Sequence, residues 1–248
     1  MAPLRVVTFN LRRDFAHDGP NAWTHRLDAV AALLRSERPH VLGTQEGLPH
    51  QLAALDRALD GYSRVGSARC GRGEDEANAI YFDTTRLDLR ASGDFWLSDR
   101  PHEPGSRAWG SACPRLVTWA RFRDRATGRD FTCANTHLDH ISEEARVRSA
   151  ALLAERFPHA LLLGDFNAEP GSPVHAQLTA HWVDTHAARG LLQEPGHTYH
   201  GFTGRATQRI DWILVPRDAN VLAHRVLTHR PEGRLPSDHW PVAAEILL

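Results

Sequence analysis

Hydrophobic residues in this chain fall first into alternating short runs and helical stripes, then into a series of runs with little helical period. Leu4 to Phe9, rich in Val and Phe, predicts a strand. From Trp23 to Arg35 the spacing of Trp23, Leu27, Val30, Ala31 and Leu34 places them on one helical face, and Pro39 ends that helix. His40 to Gly43 is a brief apolar run leading to Glu46, and Leu52, Leu55 and Leu59 mark a second, shorter helix. The middle changes character. Ala79 to Phe82, Leu116 to Phe122 and Phe131 to Thr136 read as strands separated by turns. Ser142 has the chemistry of an N-cap, followed by Glu143 and Glu144 in the first turn, where the helix dipole favours acids; that helix runs to about Phe157. A short buried strand, Ala160 to Leu163, is then ended by Gly164. Beyond it come a helix from Pro173 to Leu178 and three strands, Arg209 to Val215, Val221 to Leu227 and Val242 to Leu247. Strands in groups with helices between the groups predict two sheets packed face to face with helices outside.

With 248 residues, 42% of them hydrophobic, the chain can bury a full core, and no stretch reads as a linker, so one domain over 1–248 is expected. The most polar and glycine-rich segment, Gly66 to Asn78, has the length of a surface loop. Three cysteines, Cys70, Cys113 and Cys133, without CxxC spacing argue against a disulfide framework and a structural zinc site. No basic, then apolar leader precedes Leu4, and no run approaches the roughly 18 apolar residues of a membrane span. A cytoplasmic protein with no membrane partner is therefore expected. All 29 basic residues are arginine, which excludes a lysine nucleophile and the phosphate loop that ends in GK[ST]. No GxGxxG follows the first strand, which disfavours a dinucleotide fold. The net charge is −1. Proteins that grip long nucleic acids carry a positive excess, so a small phosphorylated molecule or a short nucleic acid is the expected substrate. No sequence feature specifies an oligomeric state.

The polar residues that interrupt or end the apolar runs carry the chemistry. Asn10 ends the first strand in TFN and Glu46 follows the second in TQE; alone, each would be a turn or solvated loop residue. As neighbours at two strand ends joined by one helix, they offer a carboxylate and an amide oxygen, a partial shell for Mg²⁺. In GDFN, Asp165 and Asn167 would point the same way from extended backbone, the acid toward water and the amide toward a phosphoryl oxygen; the competing reading is an Asx-turn. Asp211 interrupts the apolar run Ile210 to Val215 and requires a partner, for which His239 of SDHWPV is the candidate, with neighbouring Asp238 free to complete a metal shell. His137 in NTHLDH suits stabilisation of charge on a phosphate, although with 16 histidines in the chain a plain surface role competes. Asp139 and His140 would orient the loop or touch substrate. Trp109, Arg107 and Arg115 lie in an irregular stretch from Trp96 to Arg115, where aromatic and guanidinium groups suit a base or a second phosphate; the bland alternative is that Trp96 and Trp109 anchor the loop.

TFN, QE, NTHLDH, GDFN, a late ID and a terminal SDH in this order resemble the endonuclease/exonuclease/phosphatase superfamily, the fold of DNase I, over Asn10 to His239. The resemblance implies a four-layered α/β sandwich of two packed mixed sheets flanked by helices, dependence on Mg²⁺ or Mn²⁺, and hydrolysis of phosphate esters. It makes Asn10, Glu46 and Asp238 metal-site residues, Asp165 and Asn167 the groups that orient water and phosphate, Asp211 and His239 an acid–base pair, and His137 a phosphate stabiliser. Abasic-site nucleases of the superfamily carry tyrosine near the place of His137, and tyrosyl-DNA phosphodiesterases carry TWN and GDTN, so the chain looks closer to small bacterial members of unassigned substrate. Its histidine is shared with sphingomyelinases and deadenylases, but no leader suits the former and no RNA-binding region the latter. A nuclease on DNA or RNA, a non-catalytic binding protein on the same scaffold, and a zinc hydrolase (which lacks any HExxH-like ligand pair) are the competing readings.

Overall fold

A computed structural model describes residues 2–71, 73–190 and 196–248. Among the described residues, twelve strands form two six-stranded mixed sheets. The first has the order β11 (Asn220–Val226), β12 (Val242–Leu247), β1 (Leu4–Asn10), β2 (Val41–Gly47), β4 (Ala77–Asp83) and β3 (Tyr62–Val65). The second runs β5 (Leu87–Trp96), β6 (Leu116–Asp124), β7 (Asp130–His137), β8 (Leu161–Asp165), β10 (Asp211–Pro216) and β9 (Trp182–Asp184). Helices α1 (Trp23–Glu37) and α2 (Pro49–Ala58) cover the first sheet, and α3 (Glu143–Arg156) and α4 (Pro173–Thr179) the second; α5 (Thr185–Ala188) is a single turn after β9. This is the expected four-layered sandwich. Among the described residues, no helix is long and apolar enough to cross a membrane.

Side-chain alternation along each strand divides the interior into three cores. Between the sheets lie Leu4 and Val6 of β1, Leu161 and Leu163 of β8, and Ile213 and Val215 of β10. The opposite parity faces helices: Val7 and Phe9 pack with Leu34 and Leu55, while Leu162, Trp212 and Leu214 pack with Leu153 and Leu178. This parity decides where polar residues at strand ends emerge. Asn10, His137, Asp165 and Asp211 all continue the inter-sheet rows, so they come out together at one rim of the sandwich.

Several boundaries differ from the sequence reading for local reasons. Gly164 does not end its strand. It lies inside β8 where a Cβ would meet the Thr136 carbonyl oxygen at 2.3 Å, so glycine permits the close pairing of β7 and β8. α1 ends at Glu37 because Arg38 takes a left-handed cap (φ 46°), ahead of Pro39. Ser142 caps α3 as anticipated, its hydroxyl accepting from the Ala145 amide at 3.1 Å. The Gly66–Asn78 segment is not simply a surface loop: position 72 is outside the described residues, but Glu76 and Asn78 at its end are buried. β5 and β9, which the hydrophobic pattern does not announce, are the two edges of the second sheet.

A buried polar network supports the β9–α5 corner. Asp184 accepts from Arg209 Nη2 at 2.6 Å and from the His186 amide at 3.0 Å, with His175 Nε2 also at 3.0 Å. Burial pushes its carboxyl up, but the His175 and Arg209 bonds outweigh that and hold it well below the ordinary carboxylate range. A depressed folded-state pKa gives stability that is complete above the unfolded value, about 4, and lost as pH falls below it. Asp184→Asn is expected to cost about 3 kcal/mol at neutral pH by leaving Arg209 short of its counter-charge. Urea titrations at several acid pH values check both points: the wild-type midpoint falls with acidification and that of the variant falls less.

Candidate active site

Strand register assembles the centre of the rim cleft. His137 is opposite Asp165 across the parallel β7–β8 pair, and Asp165 is opposite Asp211 across the antiparallel β8–β10 pair. Three adjacent strands thus present an imidazole and two carboxylates side by side. The loop before β12 adds His239, whose Nδ1–H donates to Asp211 Oδ2 at 2.8 Å. Because a carboxylate only accepts here, this bond fixes the ring orientation and turns Nε2 toward Asp165, whose Oδ2 is 3.9 Å away. Tyr199 pairs with His239 in an isolated bridge and sets its ring edge-on at 5.0 Å.

Glu46 reaches the same place by a different route. A regular strand would send it toward the helices, but the β2–β4 ladder slips between Thr44 and Gly47 and Glu46 adopts φ 63°. Its Oε1 accepts from Asn10 Nδ2 at 3.0 Å, and its Oε2 from the Arg13 amide at 3.0 Å. Asn10 Nδ2 also donates to Asp165 Oδ2 at 2.9 Å, while its carboxamide oxygen accepts from the Arg12 amide at 2.9 Å. This departs from the sequence reading: Asn10 spaces two carboxylates with its N–H groups and turns its oxygen away from them. Asp238 lines the cleft with Oδ2 3.6 Å from Arg12 Nη1, and Ser237 ties that loop to β1 by donating to the Asn10 carbonyl at 2.7 Å.

Behind the rim, a buried amide network fixes the two sheets against each other. Asn135 Nδ2 donates to the carbonyls of Thr44 and Ala79 at 2.8 and 2.9 Å, and its Oδ1 accepts from Gln45 Nε2 at 2.7 Å. Gly43 leaves room for it, since a Cβ there would lie 2.9 Å from Asn135 Oδ1. Gln45 precedes Glu46 and Asn135 is two residues before His137, so the network positions both without touching the cleft. Buried Arg26 makes a similar clamp on the other side, donating to the carbonyls of Leu11, Arg12 and Pro236 at 2.8, 3.0 and 2.8 Å.

The electrostatics follow from crowding buried acids. Burial, reinforced by Asp211, raises Asp165 to about 7. Burial likewise raises Asp238, with Glu46 adding to the effect. Glu46 is held low: burial opposes ionisation, but the Arg13 amide and Asn10 outweigh it. His239 is pushed down by burial and more strongly up by Asp211, then Asp165 and Asp238, so it stands well above its ordinary value. His137 is the opposite case, driven well below by burial and by Arg115, and is therefore a neutral imidazole at pH 7. Ligand atoms of Glu46, His137 and Asp165 lie within 4.8 Å of one another, as do those of Asp165, Asp211 and His239. Hard oxygen donors on carboxylates that raise one another suit a divalent cation.

Other sequence-predicted residues divide. Arg115 and His140 line the cleft, joined by Arg115 Nη2 to His140 Nδ1 at 3.1 Å. Arg107 and Trp109 do not line it. Their loop folds back on itself and onto α3: Arg107 donates to the Ala112 carbonyl at 3.0 Å, Ser142 Oγ to the Trp109 carbonyl at 2.7 Å, and Arg148 sits 5.8 Å from the Trp109 ring. Trp96 anchors the segment, its indole donating to the Arg69 carbonyl at 2.6 Å. Asp139 organises the loop, accepting from the amides of Ala112, Ile141 and Ser142. Asn167 lines the cleft, but not from extended backbone. It takes φ 47°, its amide donates to Asp165 Oδ1 at 3.0 Å in an Asx-turn, and its Nδ2 donates to the Leu138 carbonyl at 3.0 Å. Cleft residues that no sequence signal singled out include Arg12, Arg13, Phe15, Arg69, Glu76 and Gln208.

A family model described as "Endonuclease/Exonuclease/phosphatase family" matches residues 7–239. Among solved structures, an endonuclease/exonuclease/phosphatase family protein from Bacteroides thetaiotaomicron is 32% identical over 99% of this chain and 98% of its own, with a TM-score of 0.89. A mannosyl-6-phosphatase from the same organism is 31% identical over 99% of this chain and 100% of its own, also with a TM-score of 0.89. An endonuclease/exonuclease/phosphatase from Bacteroides vulgatus is 30% identical, covers 100% of both chains and has a TM-score of 0.91. No curated protein matches the chain in sequence.

Proposed function

Because the chain belongs to the endonuclease/exonuclease/phosphatase family, whose members hydrolyse phosphate esters, we propose that it is a Mg²⁺- or Mn²⁺-dependent hydrolase of a small phosphorylated molecule. The observation that carries this reading is the convergence of Glu46, His137, Asp165 and His239 in one cleft, with buried Asp211 bonded to the His239 ring. Glu46 and Asp238, with Asp165 alongside, would hold the cation. When bound, it supplies charge neutralisation for the phosphoryl and leaving oxygens.

The remaining steps belong to the protein. A single water oxygen at hydrogen-bonding distance from both Asp165 Oδ2 and His239 Nε2 spans their 3.9 Å separation. Held there, the water is aligned to attack phosphorus as the bond from phosphorus to the ester oxygen breaks; its proton enters the Asp165–His239–Asp211 set, from which the leaving oxygen is protonated. Asp211 orients the ring through Nδ1 and stabilises it when charged. Neutral His137, with Nε2 3.5 Å from Asp165, donates to a phosphoryl oxygen that gains charge in the transition state. Asn167 holds the water-orienting acid through its backbone amide and keeps one side-chain N–H for the phosphate.

Three observations support a small substrate. The cleft measures about 480 Å³, the chain's net charge is −1, and one relative 31% identical to it is a mannosyl-6-phosphatase. A short nucleic acid is the second reading, favoured by Phe15 on the cleft wall with Arg12 and Arg13 against its ring at 4.8 and 4.3 Å, a surface on which a base can stack. A panel of phosphomonoesters, phosphodiesters and oligonucleotides separates the two. Removing divalent cations with a chelator is expected to abolish turnover, and adding Mg²⁺ or Mn²⁺ to restore it. Full activity in the metal-depleted protein would remove the cation from the mechanism.

A further inference from the structure

Beyond the carboxylates, the cleft has a wall that the proposed hydrolysis does not use. Glu76 is only 5% exposed, yet it lines the cleft. Its Oε1 accepts from Arg69 Nη1 and lies 3.8 Å from Arg115 Nη1, while Oε2 is 3.7 Å from Arg13 Nη1. Arg115 is itself 5% exposed. Its Nε has no hydrogen-bond partner, because Asp139 Oδ2 stays 3.8 Å away, and Arg13 Nε is also unpartnered. A buried guanidinium N–H without an acceptor is costly.

The charges on this wall balance. Arg13, Arg69 and Arg115 face Glu76, Asp75 and Asp139, with Arg69 Nε donating to Asp75 at 2.9 Å. A second phosphate would meet the Glu76 carboxylate with no surplus cation to offset it. An apolar group would leave the guanidinium donors unsatisfied. A hydroxyl group fits both halves, since it donates to the carboxylate and accepts from a guanidinium. The geometry points to a polyol subsite, in which Glu76, Arg13, Arg69 and Arg115 take the hydroxyl groups of a neutral, polyhydroxylated substrate body while the ester phosphate lies at His137, Asp165 and His239. This inference rests on the phosphate-ester reading and narrows its substrate class to phosphorylated sugars or polyols.

The decisive measurement compares Glu76→Gln with wild type on a hexose 6-phosphate and on p-nitrophenyl phosphate, which lacks hydroxyl groups. The ratio of kcat/KM for the sugar ester to that for the aryl ester is expected to fall about tenfold, the loss of one hydrogen bond to a charged acceptor. Equal losses on both esters would assign Glu76 a structural role and overturn the subsite. Saturation-transfer NMR of a methyl hexoside with wild-type protein gives a readout independent of the variant's folding and of catalysis. Sugar signals are expected, and their absence overturns the subsite even if aryl phosphate is cleaved. Sugar signals from a protein that cleaves neither ester would support the subsite and refute the hydrolysis.

Discussion

Replacing His239 with alanine is expected to lower kcat by about 10² to 10⁴, the range for loss of a positioned acid–base group. The ring donates to Asp211, the buried first residue of β10. Its removal therefore leaves the strand framework intact and leaves Asp211 as a buried carboxylate without its cation. The space left by the ring opens to the cleft, so the fold survives with a lower melting temperature. Far-UV circular dichroism and a urea titration report the fold, and steady-state kinetics on the best ester of the panel report the chemistry. Asp211→Asn should show a smaller version of the same loss, because the ring stays in place but loses the negative charge that stabilises its protonated form. Turnover near the wild-type level in the His239 variant would eliminate the proposed role.

The two histidine–carboxylate positions were legible in the sequence for a reason that is visible in the strands. Asn10, His137 and Asp165 each lie two residues after a position of the inter-sheet row, and Asp211 two before Ile213, so the period of two that identifies the strand also assigns the polar residue to its face. Asp211 needed only one further step, that a buried acid requires a partner. Where the backbone leaves the regular period, the letters were less informative. Glu46 joins the cluster through a bulge that its residue type does not favour, and Asn167 through the Asx-turn that stood as the competing reading of GDFN. Asn10 was placed correctly in space, but the orientation of its carboxamide depends on the Arg12 amide and on two acids distant in the chain.

Loops account for the remaining differences. Arg107 and Trp109 have the chemistry of substrate contacts, yet the direction of their segment is set by Ser142, Asp139 and Arg148, which lie about thirty or more residues later. Glu76 illustrates the converse. It ends a glycine-rich polar stretch whose composition suggests solvent, and only the arrival of Arg13, Arg69 and Arg115 makes its burial tolerable. β5 escaped notice because an edge strand has one ladder and a mixed surface: LDLRASGDFW alternates weakly, and Gly93 gives up its side chain to the overlying Trp119 indole.

Asp165→Asn is expected to reduce kcat by about 10² to 10⁴ on the same grounds, and its combination with His239→Ala separates two explanations of that loss. Asp165 has structural duties as well as a place beside the proposed water: Oδ1 holds the Asn167 amide and Oδ2 holds Asn10. Asparagine at 165 keeps the shape but has one carbonyl oxygen for two donors, so displacement of the turn at Asn167 is a competing cause of the loss. If displacement of that turn were the whole cause, it would act independently of the imidazole, and the two losses would multiply in the double variant. If Asp165 and His239 hold one water between them, removing either already forfeits the aligned nucleophile. The double variant should then be no slower than the slower single variant, within a factor of about ten. A double variant slowed by the full product of the two single effects would show that the acid and the imidazole do not share a proton-handling step.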